Sequence, residues 1–391
     1  MSAAADPLLA WRDRFPSLAG VLHFASHTLG AMPAQSAADL AEYSRTWAER
    51  GIRAWEEKWM AVPGEVAGAV ESLLGAGRGS VSLHPNVTVA EAVALSCVDF
   101  SPERPRLVCT DEDFPSVLYL YEGLVRRGAE IVRVHARDGR HVEAADLVAA
   151  IDERTAVVAF SSVLFRTAQV VDAEPVVRRA REAGALSLLD AYQAVGTVPV
   201  DVRALGPDFV VGGSVKWLCG GPGTGWLYVR PELAPQLTPA LTGWFGHEQP
   251  FAFDSGPTRL HAGERRFWNG TPCVPAYVAA RAGFTTAAAI GATAIRAKSL
   301  RQTARLLELA DAAGFRVVSP REDARRGGTV CLDVPEAAQV CAALLAQDVL
   351  LDHRPGVGLR LAPHYYTRDD ELDEVMRRLK AEVERAAGAA R

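Results

Sequence analysis

The chain has 391 residues, of which 49% are hydrophobic and 23% charged, and its formal net charge is -5. That length accommodates two domains, or one large domain with a smaller companion, and the composition is that of an ordinary globular protein. The acidic balance leaves no electrostatic case for nucleic acid or a membrane surface, and no apolar run reaches the length of a membrane span.

Residues 1–20 read as a short helical lead-in that packs through Leu8, Leu9 and Trp11. No basic start followed by an apolar stretch marks a signal peptide there. Residues 23–33 read as a short strand entering a turn. Residues 37–60 read as one long helix whose Trp47, Trp55 and Trp59 serve packing or an interface. A helix at 65–74 is followed by a strand at 80–84, which ends at Pro85-Asn86. Thr88 then stands at the start of an alanine-rich helix, where free N–H groups can hold an anion. Taken alone, a plain helix cap explains it.

From about residue 100 the pattern alternates. Strands at 106–109, 130–134, 156–161, 185–190 and 208–212 are separated by helices at 114–126, 143–151 and 174–183. This order predicts an α/β fold with a mostly parallel sheet and helices on both faces. Functional groups in such sheets gather at the carboxyl ends of the strands, where 110–114, Ser161, Ser162, Asp190 and Lys216 fall. Beyond about residue 280 the character changes. A long helix at 280–313, strands at 315–319, 328–334 and 357–362, and helices at 337–347 and 369–386 predict a smaller α+β domain. The expected organisation is a lead-in at 1–20, a large domain at 21–279 and a small domain at 280–391.

The six cysteines, at 97, 109, 219, 273, 331 and 341, form no CxxC pair. Neither a zinc site nor a disulfide framework is signalled, and a reduced, cytoplasmic protein is expected. Cys331 and Cys341 fall in strand-like and helical runs and read as buried structural thiols.

One of the four lysines stands apart. Lys58, Lys298 and Lys380 lie in charged helical stretches, whereas Lys216 follows an apolar strand and precedes Gly220-Gly-Pro-Gly-Thr-Gly225. An amine that must lose its proton to attack a carbonyl has to be lysine, because arginine stays charged. The bland alternative is a lysine that closes a glycine loop. Asp190 ends the apolar strand Leu186-Ser-Leu-Leu-Asp190. A strand-end lysine with a strand-end carboxylate suits pyridoxal phosphate, which needs a Schiff-base amine and an anion beside its ring nitrogen. The Thr88 helix start could cradle the phosphate, and Phe114 could offer an aromatic face. Arg360 could grip a substrate carboxylate in bidentate fashion. Dinucleotide, Walker A and nucleophile-elbow signatures are missing.

Asp190-Ala-Tyr-Gln193, Gly196-Thr-Val-Pro-Val-Asp201 and Ser214-Val-Lys216, followed by Gly220-Gly-Pro-Gly223, resemble the pyridoxal-phosphate enzymes of the class V aminotransferase group. Gly243-Trp-Phe-Gly-His-Glu248, Phe251-Ala-Phe-Asp254 and Gly270-Thr-Pro272 resemble kynureninases more closely. The resemblance runs from about residue 20 to the end. It implies an aspartate-aminotransferase-like fold with a seven-stranded type of sheet, and a homodimer with shared active sites.

The resemblance also implies roles. Lys216 would carry the Schiff base, Asp190 would meet the pyridine nitrogen and Phe114 would stack on the ring. Val87, Thr88 and Ser214 would meet the phosphate, with Ser116, Ser161 and Gln193 also against the cofactor. Trp244 and Thr271 would reach the neighbouring subunit's phosphate. Arg360, in Arg360-x-Ala-Pro-His364, would bind the α-carboxylate of an amino-acid substrate, and Arg166 would mark the substrate side. Two departures matter. Kynureninases typically have Tyr before the lysine, where this chain has Val215, and His where it has Gln193. Cleavage of an amino acid at the β-carbon is therefore the first expectation and amino-group transfer to a keto acid the second.

Overall fold

The structure, a computed structural model, describes residues 6–389. The first strand, β1 (Leu22–His23), is built into the C-terminal half of the chain. Seven strands follow: β2 (Val81–His84), β3 (Arg106–Thr110), β4 (Glu130–Val134), β5 (Thr155–Ser161), β6 (Leu186–Asp190), β7 (Phe209–Gly213) and β8 (Gly225–Val229). They form one sheet in the order β2-β8-β7-β6-β5-β3-β4. Only β8 runs against its neighbours, so the sheet is mostly parallel, as the alternation of strands and helices predicts.

Side-chain alternation explains why this sheet is covered on both faces. Along β5, Val157 and Ala159 enter one core while Val158 and Phe160 enter the other. Leu188 and Leu189 divide in the same way on β6, and Phe209 and Val210 on β7. A strand buried on both sides reads as a near-continuous apolar run, which is why these strands stand out in the sequence.

The C-terminal region carries β9 (Arg316–Val317), β10 (Val330–Asp333), β11 (Val349–Leu350), β12 (Asp352–Arg354) and β13 (Gly358–Leu361). Four of these make an antiparallel sheet in the order β12-β13-β10-β9. Its core joins Leu332, Leu359 and Leu361 with Val375 and Leu379 of the helix Asp369–Ala389. Strand β11 instead pairs in parallel with β1, and Phe24 packs into this same core. The chain after Phe24 is thereby delivered to the junction between the two sheets.

Two long helices of the sequence pattern are interrupted. The expected helix at 37–60 is Ala34–Arg50, broken at Gly51 (φ 55), followed by a π-turn at Trp55–Trp59. Trp59 is buried and stacks on Tyr43, but Trp47 is 63% exposed. The expected helix at 280–313 is two helices, Val274–Ile290 and Ala292–Ala312, which meet at Gly291 (φ 87) with a bend of 85°. Positive φ at glycine ends a helix without a steric cost that periodicity would reveal. Among the described residues no single helix is long and apolar enough to cross a membrane. The lead-in consists of 3-10 turns, Pro7–Arg14 and Pro16–Ala19, with Leu8 and Trp11 packed on the core; residues 1–5 lie outside the described residues.

Candidate active site

A cavity of about 620 Å³ opens at the carboxyl edge of β5, β6 and β7, between the sheet and the β12–β13 hairpin. Lys216 reaches it from the loop after β7. That loop is held by Ser214 N–H donating to the Thr224 carbonyl and Gly220 N–H donating to the Ser214 carbonyl, each at 2.9 Å. A third tie runs from Gly30 N–H to the Val215 carbonyl at 2.8 Å. The Lys216 Nζ lies 4.3 Å from the Tyr192 ring centre and 5.5 Å from that of Phe114.

Burial pushes the Lys216 amine below its usual pKa; the Asp190 charge opposes this, and the Arg360 and Arg354 charges reinforce it. Asp190 moves the other way. Burial raises its carboxyl, against the pull of the Tyr192 N–H and of Lys216. One Asp190 oxygen accepts the Tyr192 N–H at 2.7 Å. No other hydrogen bond reaches this carboxylate among the described residues, so one oxygen is open to a ring N–H.

The helix Val87–Ser96 begins at the same cavity, with Val87 and Thr88 on its wall. Asn86 caps it by accepting the Val89 N–H at 3.0 Å. The N–H groups of Val87 and Thr88 have no carbonyl four residues back within the helix and are free for an anion. An amine, an open carboxylate oxygen, a pair of helix-start amides and the Phe114 ring thus share one space. Their chemistry fits pyridoxal phosphate.

Gln193 sits in a chain of fixed polarity. Trp217 Nε1 donates to its Oε1 at 2.9 Å, and its Nε2 donates to the His27 carbonyl at 3.1 Å. An indole only donates and a carbonyl only accepts, so this chain fixes the orientation of the amide. His364 Nε2 donates to the Trp217 carbonyl at 2.8 Å and extends the chain to the C-terminal region.

The residues expected at the site divide. Lys216, Asp190, Gln193, Val87, Thr88 and Phe114 line the cavity, as do Ser116, Ser161 and Arg360. Ser214 does not: it is fully buried and its hydroxyl donates to the Gly221 carbonyl inside the glycine loop. Arg166 turns from the cavity to Glu112, with Nη1 3.0 Å from Oε1. Thr271 lies in a separate groove with Pro85 and Val89. Trp244 is 39% exposed and stacks on Phe253, which is 74% exposed. Neither lines the cavity of its own chain.

The polar or aromatic cavity residues that were not among the site residues expected from the sequence include His27, Thr28, Phe165, Tyr192 and Arg354. Tyr192 lies inside the Asp190–Gln193 motif and Phe165 beside Arg166, so proximity to expected residues was their available signal. Phe165 meets Phe114 edge to face, with ring centres 5.1 Å apart. His27, Thr28 and Arg354 converge on Asp352, which no local pattern connects to residues 27 and 28. His27 Nε2 lies 2.9 Å from Asp352 Oδ1, and Thr28 Oγ1 donates to Oδ2 at 2.7 Å. Burial holds His27 neutral, with its pKa lowered to about 4, so it meets Asp352 as a hydrogen-bond donor and not as a cation. Burial would raise the Asp352 carboxyl, but hydrogen bonds from His27 and Arg360 hold it well below the usual carboxylate range. No cysteine lines the cavity among the described residues; Cys331 is buried in β10, and burial pushes its thiol up to about 11.

The pattern of the family described as aminotransferase class-V matches residues 69–361. The chain is similar to a kynureninase of Burkholderia pseudomallei (strain K96243), 31% identical over 365 residues that span 89% of this chain and 86% of that one. It is similar to a kynureninase of Pseudomonas fluorescens, 30% identical over 389 residues that span 95% and 92% of the two chains. In fold it is similar to the apo cysteine desulfurase of Thermococcus onnurineus NA1, with a TM-score of 0.85 at 20% identity across 98% of this chain and 100% of that one.

Proposed function

The chain belongs to the aminotransferase class-V family, as a pyridoxal-phosphate-dependent enzyme acting on an amino acid, and from this footing we propose that it cleaves its substrate at the β-carbon in the manner of a kynureninase. The observation that carries the proposal is the similarity to kynureninases along nearly the whole chain. The cavity supports it, since an aromatic pair, Phe114 and Phe165, stands in the same space as two arginines.

Pyridoxal phosphate supplies the electron sink that makes the α-proton of an amino acid acidic. The chain does the rest. Lys216 holds the cofactor and then moves the α-proton, a task suited to an amine whose pKa is lowered toward neutrality. Asp190 keeps a proton on the ring nitrogen. Phe114 would stack on the cofactor ring, the Val87 and Thr88 amides would hold its phosphate, and Ser116, Ser161 and Gln193 would make further contacts to it. The arginine corner at Arg360 receives the substrate carboxylate. A cytoplasmic homodimer, in which Trp244 and Thr271 of a second copy complete the phosphate site, belongs to the same proposal.

Amino-group transfer is the second reading. Val215 supports it, because a valine beside Lys216 has no hydroxyl to handle a proton during carbon–carbon cleavage. The two readings separate on products. Incubation of the cofactor-loaded protein with L-kynurenine or 3-hydroxykynurenine is expected to release L-alanine with the matching anthranilate. Formation of a keto acid without alanine overturns β-cleavage in favour of transfer.

A further inference from the structure

Arg166 stands beside the catalytic cavity without lining it. Its backbone is fixed by the C-terminal region: the Arg166 carbonyl accepts the Cys331 thiol at 3.2 Å, and the Phe165 carbonyl accepts Arg360 Nη1. Its side chain is 31% exposed and reaches back to Glu112, with Nη1 3.0 Å from Oε1. The other end of the guanidinium lies against the turn of the β12–β13 hairpin, where a β-carbon on Gly356 would stand 3.2 Å from Nη2. That hairpin supplies Arg354 and Arg360 to the cavity. Arg166 is thus a bridge from the segment that carries Phe114 to the hairpin that bounds the cavity.

The Glu112 end of the bridge can change its charge. Asp113 beside it accepts the Thr110 and Ser161 N–H groups, each at 2.8 Å, so the backbone there is pinned. The Glu112 side chain is 4% exposed, and its Oε2 is buried with no hydrogen-bond partner among the described residues. A carboxylate with one oxygen out of water and unpaired takes up a proton more readily than a solvated one. Burial pushes the Glu112 carboxyl up to about 7; the Arg166 charge opposes this, and the Asp111 and Asp138 charges reinforce it. Arg166 follows β5, Asp111 follows β3 and Asp138 follows β4, so the charges that face Glu112 come from three elements. Asp111 and Asp138 in turn lie 2.9 Å from His135 Nδ1 and 2.7 Å from His141 Nδ1.

Resting on the amino-acid reading above, we propose that Glu112 and Arg166 are a positioning pair, a proton-controlled latch that clamps the β12–β13 hairpin to the Phe114 segment when Glu112 is ionised and releases it when Glu112 is neutral. The sign follows from the carboxyl. Above about pH 7 the ion pair is formed and the cavity walls are held together; below it Arg166 loses its counter-charge. Substrate binding therefore tightens as pH rises through neutrality, although neither residue lines the cavity.

The test uses the full-length protein loaded with pyridoxal phosphate and titrated with L-alanine at pH 6 and at pH 8. The readout is the shift of the cofactor's absorbance band. Glu112→Gln keeps the shape of the side chain and fixes its neutral state. It is expected to bind L-alanine about three- to fivefold more weakly than the wild type at pH 8, the worth of a partly exposed ion pair, and as tightly as the wild type at pH 6. Arg166→Met is expected to behave in the same way, and it decides the matter should Glu112→Gln not retain cofactor. The L-alanine amine, the Schiff base and both histidines are present in every variant, so a difference confined to pH 8 belongs to the Glu112–Arg166 pair. Variants that match the wild type at pH 8 overturn the proposal. Equal weakening at both pH values overturns it as well, since a role in packing alone does not follow the proton. A wild type whose absorbance does not respond to L-alanine at either pH removes the amino-acid reading and the latch with it. Failure to release anthranilate from L-kynurenine, with the difference at pH 8 intact, sinks only the β-cleavage reading.

Discussion

A β-carbon added to Gly225 would lie 2.6 Å from the carbonyl oxygen of Asn86, the residue that caps the helix beneath the cavity. Strand β8 begins against this helix start, and only hydrogen fits between them. Gly225→Ala must push the helix start aside and with it the Val87 and Thr88 amides. We expect a loss of about 1–3 kcal/mol in stability, the usual cost of overpacking, and weaker cofactor binding. Thermal unfolding with and without pyridoxal phosphate checks this. An unchanged Tm with unchanged affinity would show that the cradle is not built as described.

Asp190→Asn keeps the shape of the side chain but removes the anion facing the cofactor nitrogen. The expected outcome is retained cofactor absorbance with turnover lowered on the order of 10²-fold or more, the scale of a lost proton-holding group. Turnover within about threefold of the wild type would remove Asp190 from the role proposed for it.

Trp217→Phe keeps an aromatic side chain but removes the fused second ring, so it deletes the donor to Gln193 Oε1 and leaves a small cavity that adds to the loss. The partner oxygen is then buried without a hydrogen bond, which costs about 1–3 kcal/mol. Urea unfolding measures the loss, and the Gln193 amide should also loosen from the His27 carbonyl. A variant as stable as the wild type would mean that the Trp217–Gln193 bond contributes nothing net.

Burial lowers the pKa of His23, His27 and His84 from 6.5 to about 4 in the folded chain. The unfolded chain takes up these protons near pH 6.5, while the folded chain resists until pH approaches 4. Stability from this source is complete above about pH 6.5 and falls as pH drops from there toward 4. Urea midpoints are therefore expected to be lower at pH 5.5 than at pH 7.5. A midpoint that holds or rises at pH 5.5 would contradict the burial of neutral histidines.

What was legible in the sequence follows from what leaves a local trace. Strands buried on both faces read as apolar runs, so β3, β5, β6 and β7 and the strand-end positions of Asp190 and Lys216 could be placed directly. Gly51 and Gly291 were hidden, since helical periodicity resumes on both sides of each break. Strands β11 and β12 are two and three residues long, too short for alternation to register, and β12 carries Asp352 and Arg354. The arginine corner was half legible. Arg360 lay in a suggestive strand, but its partner Asp352 and the contacts from His27 and Thr28 arise only when β1 pairs with β11 across the whole length of the chain.

The central claim is that Lys216 alone holds the cofactor. It is tested most directly by reducing the pyridoxal-phosphate-loaded protein with borohydride, which fixes a Schiff base to its lysine, and mapping the adduct by peptide mass spectrometry. The chain has four lysines, so the assignment is unambiguous. The account predicts one phosphopyridoxyl group, on Lys216, and none in Lys216→Ala. An adduct on Lys58, Lys298 or Lys380, or no adduct in protein that retains the cofactor's absorbance, would contradict it.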